Sequence, residues 1–261
     1  MAIRLHFPLR THRSVAVFLF SAIALTWAAD PTSVVDKTES ANPSVNELIP
    51  WLLDEDRQLS GIPFSEVILA ATGKRVLPCD LTSETDQRVI KQISGVLDEV
   101  LRRMNAPESA VHKVGRINEV SSHVENLLRE LLSAAPGLSC DFPRTSEGRV
   151  QRSGYPDLRI VDAASQRVFY LDPKLYAAGS RESSFRTFYF EPKIATNKVT
   201  DDAVHLIVGF EHEPKSGGGR WNFTRWDLVD LAHFKVRLKA EFQGSNRDIY
   251  RPEAVVATSE K

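Results

Sequence analysis

Cysteine is scarce in this chain. Cys79 and Cys140 are the whole complement in 261 residues, which excludes a fold assembled around disulfides. Two isolated cysteines also lack the paired spacing of a zinc site. One bridge between them is compatible with an oxidising compartment, and the sequence leaves that open. No glycine-rich phosphate loop, no HExxH and no GxSxG occurs, so the commonest nucleotide-binding, zinc-protease and serine-hydrolase signatures are missing. Charge is nearly balanced at −1, and no global basic field announces a polyanionic partner. The one long apolar run, Ser14 to Ala28, is 15 residues. As a helix it would span ~22 Å, short of the ~30 Å hydrocarbon core of a bilayer.

What is present begins with that run. MAIRLHFPLRTHR carries three arginines and no acid, the apolar stretch follows, and Thr26 and Ala28 stand at −3 and −1 of a cleavage point. This is the layout of a secretory signal over residues 1–28, and it implies a periplasmic or secreted protein with no stable membrane span once the leader is removed. Residues 29–44, rich in Ser, Thr and Pro, read as a linker. The remainder, in a chain that is 42% hydrophobic, can bury one large domain with a helical extension. Charge is unevenly spread along it. Asp30 to Val100 holds 13 acids against 6 bases, whereas Arg144 to Lys198 holds 10 bases against 6 acids.

Residues 45–108 read as a helical region. Val45–Leu59 places Leu48, Ile49, Leu52 and Leu53 on one face, Ser65–Thr72 stops at Gly73, and Ser83 opens a longer helix with Asp86 in a capping-box-like position. A further helix over Arg116–Ser133 carries Ile117, Val120, Val124, Leu127, Leu128, Leu131 and Leu132 as one stripe. After Pro136-Gly137 the apolar period changes to two. The expected strands are Leu138–Phe142, Asp157–Val161, Val168–Lys174, Phe185–Pro192 and His205–Phe210. Glu211–Arg220 reads as a surface loop. The tail reads as a helix near Leu228–His233 and a strand near Phe234–Phe242. Helices leading into a mostly sequential sheet imply an α/β or α+β sandwich.

Within GYPDLRIVDAASQRVFYLDPKLY, Asp157 opens one expected strand and Asp172 closes the next. If the strands are neighbours, both carboxylates lie near one end of the sheet. Asp172 and Lys174, two apart, face the same side. Two carboxylates that close repel unless a cation lies between them, and hard oxygen ligands suit Mg²⁺ or Mn²⁺. A lysine beside them can contact a phosphate or hold the attacking water. Pro173 cannot donate to a sheet ladder, which places Asp172 where pairing stops. His205 and His212 have no partner at ligand spacing and read as core or surface residues. Ser153-Gly154 reads as a turn.

Pro156-Asp157 followed by Asp172-Pro173-Lys174 resembles the PD-(D/E)xK nuclease superfamily. That resemblance covers Glu119 to Phe210. It implies a restriction-endonuclease-like fold over residues 109–261, an α/β architecture with a mixed central sheet flanked by helices and preceded by the helical extension. It also implies a glutamate on the helix before the sheet. Glu125 fits best, because Leu128, Leu131 and Leu132 anchor the helix beneath it; Glu119 and Glu130 are the alternatives. A second copy of the DxK pattern, Glu191 and Lys193 in YFEPKI, is a rival for Asp172 and Lys174.

The function so implied is exported, metal-dependent hydrolysis of nucleic-acid phosphodiesters, DNA in the first place. Asp157, Asp172 and Glu125 would hold the metal and Lys174 would position the water. Arg181, Arg186, Lys193 and Lys198, interleaved with aromatics, are candidates to track the nucleic-acid backbone. Nothing in the sequence marks a protein partner. The competing expectation is a non-catalytic nucleic-acid-binding or cell-envelope protein with the same fold.

Overall fold

The computed structural model of the protein describes residues 45–54, 59–185, 187–215, 219–239 and 241–259. The expected leader, the linker and Arg186 lie outside the described residues. Among the described residues, no helix is long and apolar enough to cross a membrane.

In chain order the elements are α1 (Val45–Asp54), β1 (Ser60–Pro63), α2 (Phe64–Thr72), β2 (Val76–Leu77), α3 (Glu84–Asn105), a 3-10 turn (Ala110–Lys113) and α4 (Ile117–Ala134). Then come β3 (Leu138–Asp141), β4 (Leu158–Asp162), β5 (Val168–Ala177), β6 (Ala203–His212), β7 (Phe223–Asp230), β8 (Lys235–Arg237), α5 (Asn246–Ile249) and a 3-10 turn (Pro252–Ala254). The main sheet runs β2-β6-β5-β4-β3, with β7 also on β6. Pairing is parallel for β2 with β6 and for β5 with β6, and antiparallel for the rest. The result is a mixed sheet with helices, as the α/β expectation required. β1 and β8 form a separate antiparallel pair. The region 45–108 is therefore less purely helical than its pattern implies: β1 and β2 lie within it, and β2 extends the main sheet.

The sheet separates two cores. On one face α3 and α4 pack through Val89, Ile93, Leu97, Val124, Leu128 and Leu132, all essentially without exposure, against Leu158, Ile160, Phe169 and Leu171. Each such side chain is worth about 1.5–3 kcal/mol on burial, so this layer dominates the stability. On the other face Phe64 and Ile68 of α2 meet Tyr155, Tyr170, Val199, Ala203 and Leu231. Ser83 caps α3 by accepting from the Asp86 N–H. The reciprocal half of a capping box is absent, because the Asp86 carboxylate accepts from the Asp80 N–H and pairs with Arg167.

Two expected elements differ. Phe185–Pro192 is not a strand. Its alternation has another use: Phe188 and Phe190 dock edge-on against Phe64, with ring centroids 5.2 and 6.0 Å away, while Phe185 and Tyr189 face solvent. Of the helix expected near Leu228–His233, Leu228–Asp230 are instead the end of β7 and residues 231–233 form a turn. There the open edge of β6 supplies a full antiparallel partner, and tertiary pairing overrides the weak helical pattern. The strand expected at Phe234–Phe242 shortens to β8.

Candidate active site

β4 and β5 pair with Leu158 opposite Leu171 and Arg159 opposite Tyr170. One further step of that register puts Asp157 opposite Asp172. Residues directly opposite in an antiparallel pair share a face, and Lys174, two beyond Asp172, shares it too. Pairing with β4 stops at Leu171, while β5 continues along β6 to Ala177. Pro173 thus sits past the end of β4, where its missing N–H interrupts no β4 ladder. On β6, Gly209 lies opposite Lys174. A Cβ there would come within 3.1 Å of the Tyr176 ring, so the glycine makes room for the aromatic beside the lysine.

Asp172 is buried, and its carboxylate is in direct contact with the Lys174 ammonium, which is partly open to solvent. The Asp157 carboxyl is pushed up to about 8, first by burial and then by the charge of Asp172, with Glu125 adding to the effect and Lys174 opposing it. Glu125 projects from α4 with its side chain 14% exposed and accepts from Arg152 at 2.8 Å. Arg152 also lies over the Phe142 ring at 4.5 Å. Of the alternative glutamates, Glu119 is exposed and Glu130 pairs with Arg103 at 3.7 Å. The rival pair Glu191 and Lys193 is exposed, outside any strand, and bonded to itself at 2.9 Å. It does not enter the Asp157–Asp172 cluster.

The expected backbone-tracking residues divide. Arg181 is exposed but pairs with Asp227 at 3.5 Å. Lys193 is held by Glu191. Lys198 requires a correction: it is 1% exposed, so it cannot reach a polynucleotide backbone. Its Nζ instead donates to the carbonyls of Gln151 and Arg152, at 3.2 and 3.5 Å. Burial lowers its pKa, and Asp157, Asp172 and Glu125 act in the opposite sense. Sequence pattern also gave no sign of the Arg152–Glu125 pair or of the buried Tyr155 hydroxyl, 2.6 Å from His205 Nδ1. His205 is a core residue, as its spacing suggested, and burial lowers its pKa to about 4. Both cysteines are free thiols.

Among the described residues, no three His, Cys, Asp or Glu side chains form a ready-made metal cage, and Glu125 is already engaged by Arg152. Two adjacent carboxylates nonetheless fit Mg²⁺, which commonly takes one or two protein carboxylates and fills its octahedron with water and substrate phosphate. The raised affinity of Asp157 for a proton is what an acid pair short of positive charge displays.

With this geometry in view, the comparisons with known proteins decide the family. The model of the type II restriction enzyme MjaV family matches residues 58–253. The chain belongs to that family. Type II restriction enzyme MjaV of Methanocaldococcus jannaschii is 29% identical over 205 residues, which cover 75% of this chain and 87% of that protein. The span matched by the MjaV family model contains Glu125, Asp157, Asp172, Lys174 and Lys198.

The crowded acids make stability depend on pH. Asp157 binds its proton more tightly folded (about 8) than unfolded (about 3.8). Its contribution is therefore full below pH 4 and is lost as pH rises towards 8. His205 has the opposite sign: its folded pKa of about 4 lies below the ordinary 6.5, so its contribution is lost as pH falls from 6.5 to 4. The two oppose below pH 6.5; above it the His205 contribution is complete while that of Asp157 keeps falling. The melting temperature in EDTA is expected to fall between pH 6.5 and 8, and Asp157→Asn to flatten that slope. A wild-type profile level over this window would show that Asp157 is an ordinary acid.

Proposed function

We propose that this protein is a PD-(D/E)xK nuclease of restriction-endonuclease-like fold that hydrolyses DNA phosphodiesters with a divalent metal. The observation that carries the reading is the convergence of Asp157, Asp172 and Lys174 on one sheet face where β4 ends. Family membership supports it, and the relative's designation as a type II restriction enzyme brings DNA as the substrate. Such enzymes typically use Mg²⁺.

Asp157 and Asp172 would hold the metal, with Glu125 acting directly or through water once released from Arg152. The bound ion would neutralise charge developing on the phosphate and the leaving oxygen. Lys174 presents its ammonium at the solvent-facing edge of the pair. There it can orient the attacking water and meet a phosphate oxygen. Asp172 holds Lys174 in that position, and the buried Tyr155, which feels the charge of both acids, packs edge-on against Phe64 and Phe188. Among the described residues no side chain is assigned as a covalent nucleophile, so the attack is assigned to water.

The purified protein is expected to cut duplex DNA with Mg²⁺ or Mn²⁺ and to lose that activity in EDTA, with recovery on adding Mg²⁺ back. Plasmid, linear duplex, single-stranded DNA and RNA should be compared side by side. Binding without cleavage of all four, at saturating Mg²⁺, would favour the non-catalytic reading instead.

A further inference from the structure

Lys198 is the one fully buried Lys or Arg among the described residues, and the proposed mechanism does not use it. It lies in the segment 197–202 leading into β6, and that segment is fastened directly beneath the acids. The N–H groups of Thr200 and Asp201 donate to the Tyr170 hydroxyl at 3.0 and 3.2 Å. The Asp201 carboxylate accepts two bonds from Arg159, at 2.8 and 2.9 Å. Tyr170 stands two residues before Asp172 on β5, and Arg159 two residues after Asp157 on β4. Asn197 braces the backbone on either side of Lys198, accepting from the Val199 N–H at 2.9 Å and donating to the Val199 carbonyl at 3.0 Å. Val199 itself is buried in the second core.

From this fixed base the Lys198 side chain runs, out of contact with solvent, to the carbonyls of Gln151 and Arg152. Those residues open the segment 151–157, which ends in Asp157. Arg152 in turn holds Glu125. One ammonium therefore joins the rigid β4–β5 frame to the segment that delivers one acid and to the arginine that restrains another. A buried lysine is costly unless its donors are used, and here they are used on that segment and on the field of the three carboxylates.

We infer that Lys198 is a positioning residue of the site: it clamps residues 151–157 so that Asp157 stands opposite Asp172, ready for a metal. This rests on the metal-dependent reading above. Because Lys198 is buried, it touches neither substrate nor reacting water.

The test compares two substitutions that remove the same charge from the same cluster, Lys198→Met and Lys174→Met, in the full chain with its thermal transition checked first. The clamp is read without metal by limited trypsin digestion, as the rate of cutting after Arg152 relative to cutting after Arg181 in a separate exposed loop. Lys198→Met is expected to raise that ratio about tenfold as the segment opens locally, and Lys174→Met to leave it unchanged. Mn²⁺ affinity, read by electron paramagnetic resonance, is expected to weaken about tenfold in Lys198→Met although a like charge has been removed. In Lys174→Met it stays the same or tightens. If Lys198→Met does not fold, Lys198→Gln, which keeps a donor without the charge, must show a ratio above that of the wild type. An unchanged ratio, or Mn²⁺ bound as tightly by Lys198→Met as by Lys174→Met, overturns the inference. A wild type that binds no Mn²⁺ defeats the metal-dependent reading, and the trypsin ratio still decides the clamp.

Discussion

Lys174→Ala is expected to reduce DNA hydrolysis by roughly two to four orders of magnitude while leaving divalent-metal binding in place. The substitution takes away the cation that touches the Asp172 carboxylate but leaves both carboxylates. The loss is sized by what removal of a general acid/base or a transition-state charge contact costs. Affinity for DNA in Ca²⁺ should change only by the modest loss of one charge. Asp172→Ala should do the reverse. It removes one of two facing carboxylates, so Mg²⁺ itself binds more weakly, and Asp157, relieved of its neighbour's charge, titrates lower than about 8. Cleavage, Mn²⁺ affinity and DNA affinity measured on both variants separate chemistry from ligation. Wild-type cleavage rates in Lys174→Ala at saturating Mg²⁺ would remove Lys174 from the mechanism.

That pair was legible in the sequence because a local rule fixes it. Two residues apart on a strand means one face, whatever the rest of the fold does. The partner Asp157 was legible for a similar reason: the short Ala163–Gln166 turn forces β4 and β5 to be antiparallel neighbours, and register does the rest. α3 and α4 announce themselves through unbroken stripes, and the stripe on α4 also separates Glu125 from Glu119 and Glu130. Lys198 had no such signal. Its flanks, Asn197 and Val199, match any strand approach, and its partners are main-chain carbonyls 46 and 47 residues earlier. Burial of a charge against backbone oxygens is a tertiary fact that leaves no periodic trace.

The misread segments show the same limit. Period-two alternation at Phe185–Pro192 records which side chains are buried, not whether a strand partner exists. The flanks of β5 and β6 are occupied by other strands, so the segment packs its phenylalanines without joining a ladder. At Leu228–Asp230 the converse holds: a pattern poor for a strand becomes one because β6 offers a free edge.

Arg88→Ala is expected to destabilise the fold through electrostatics, because it takes the cation from a fully buried carboxylate. Asp162, the last residue of β4, has no exposed side-chain surface. Its carboxylate accepts from Arg88 at 2.8 and 3.0 Å, and from the Ser165 N–H and hydroxyl at 2.9 and 2.6 Å. Those bonds fix the β4–β5 turn, where Gln166 adopts φ 59°, and fasten it to α3. Arg88 and Ser165 hold the Asp162 carboxyl well below the usual carboxylate range. Without Arg88 the carboxylate stays buried and keeps only its Ser165 bonds, so its pKa rises from the wild-type value. The wild-type carboxylate is ionised in the folded state well below pH 4, so the deficit should be close to full from about pH 4 to pH 8 and shrink as pH falls below the unfolded value of about 3.8. At pH 8 the melting temperature is expected to drop by roughly 5 °C. Since the turn lies at the far end of the hairpin from Asp157 and Asp172, cleavage well below the transition should persist. A deficit that does not shrink between about pH 5 and about pH 2.5 would mean that Arg88 stabilises α3 by packing and not by neutralising Asp162.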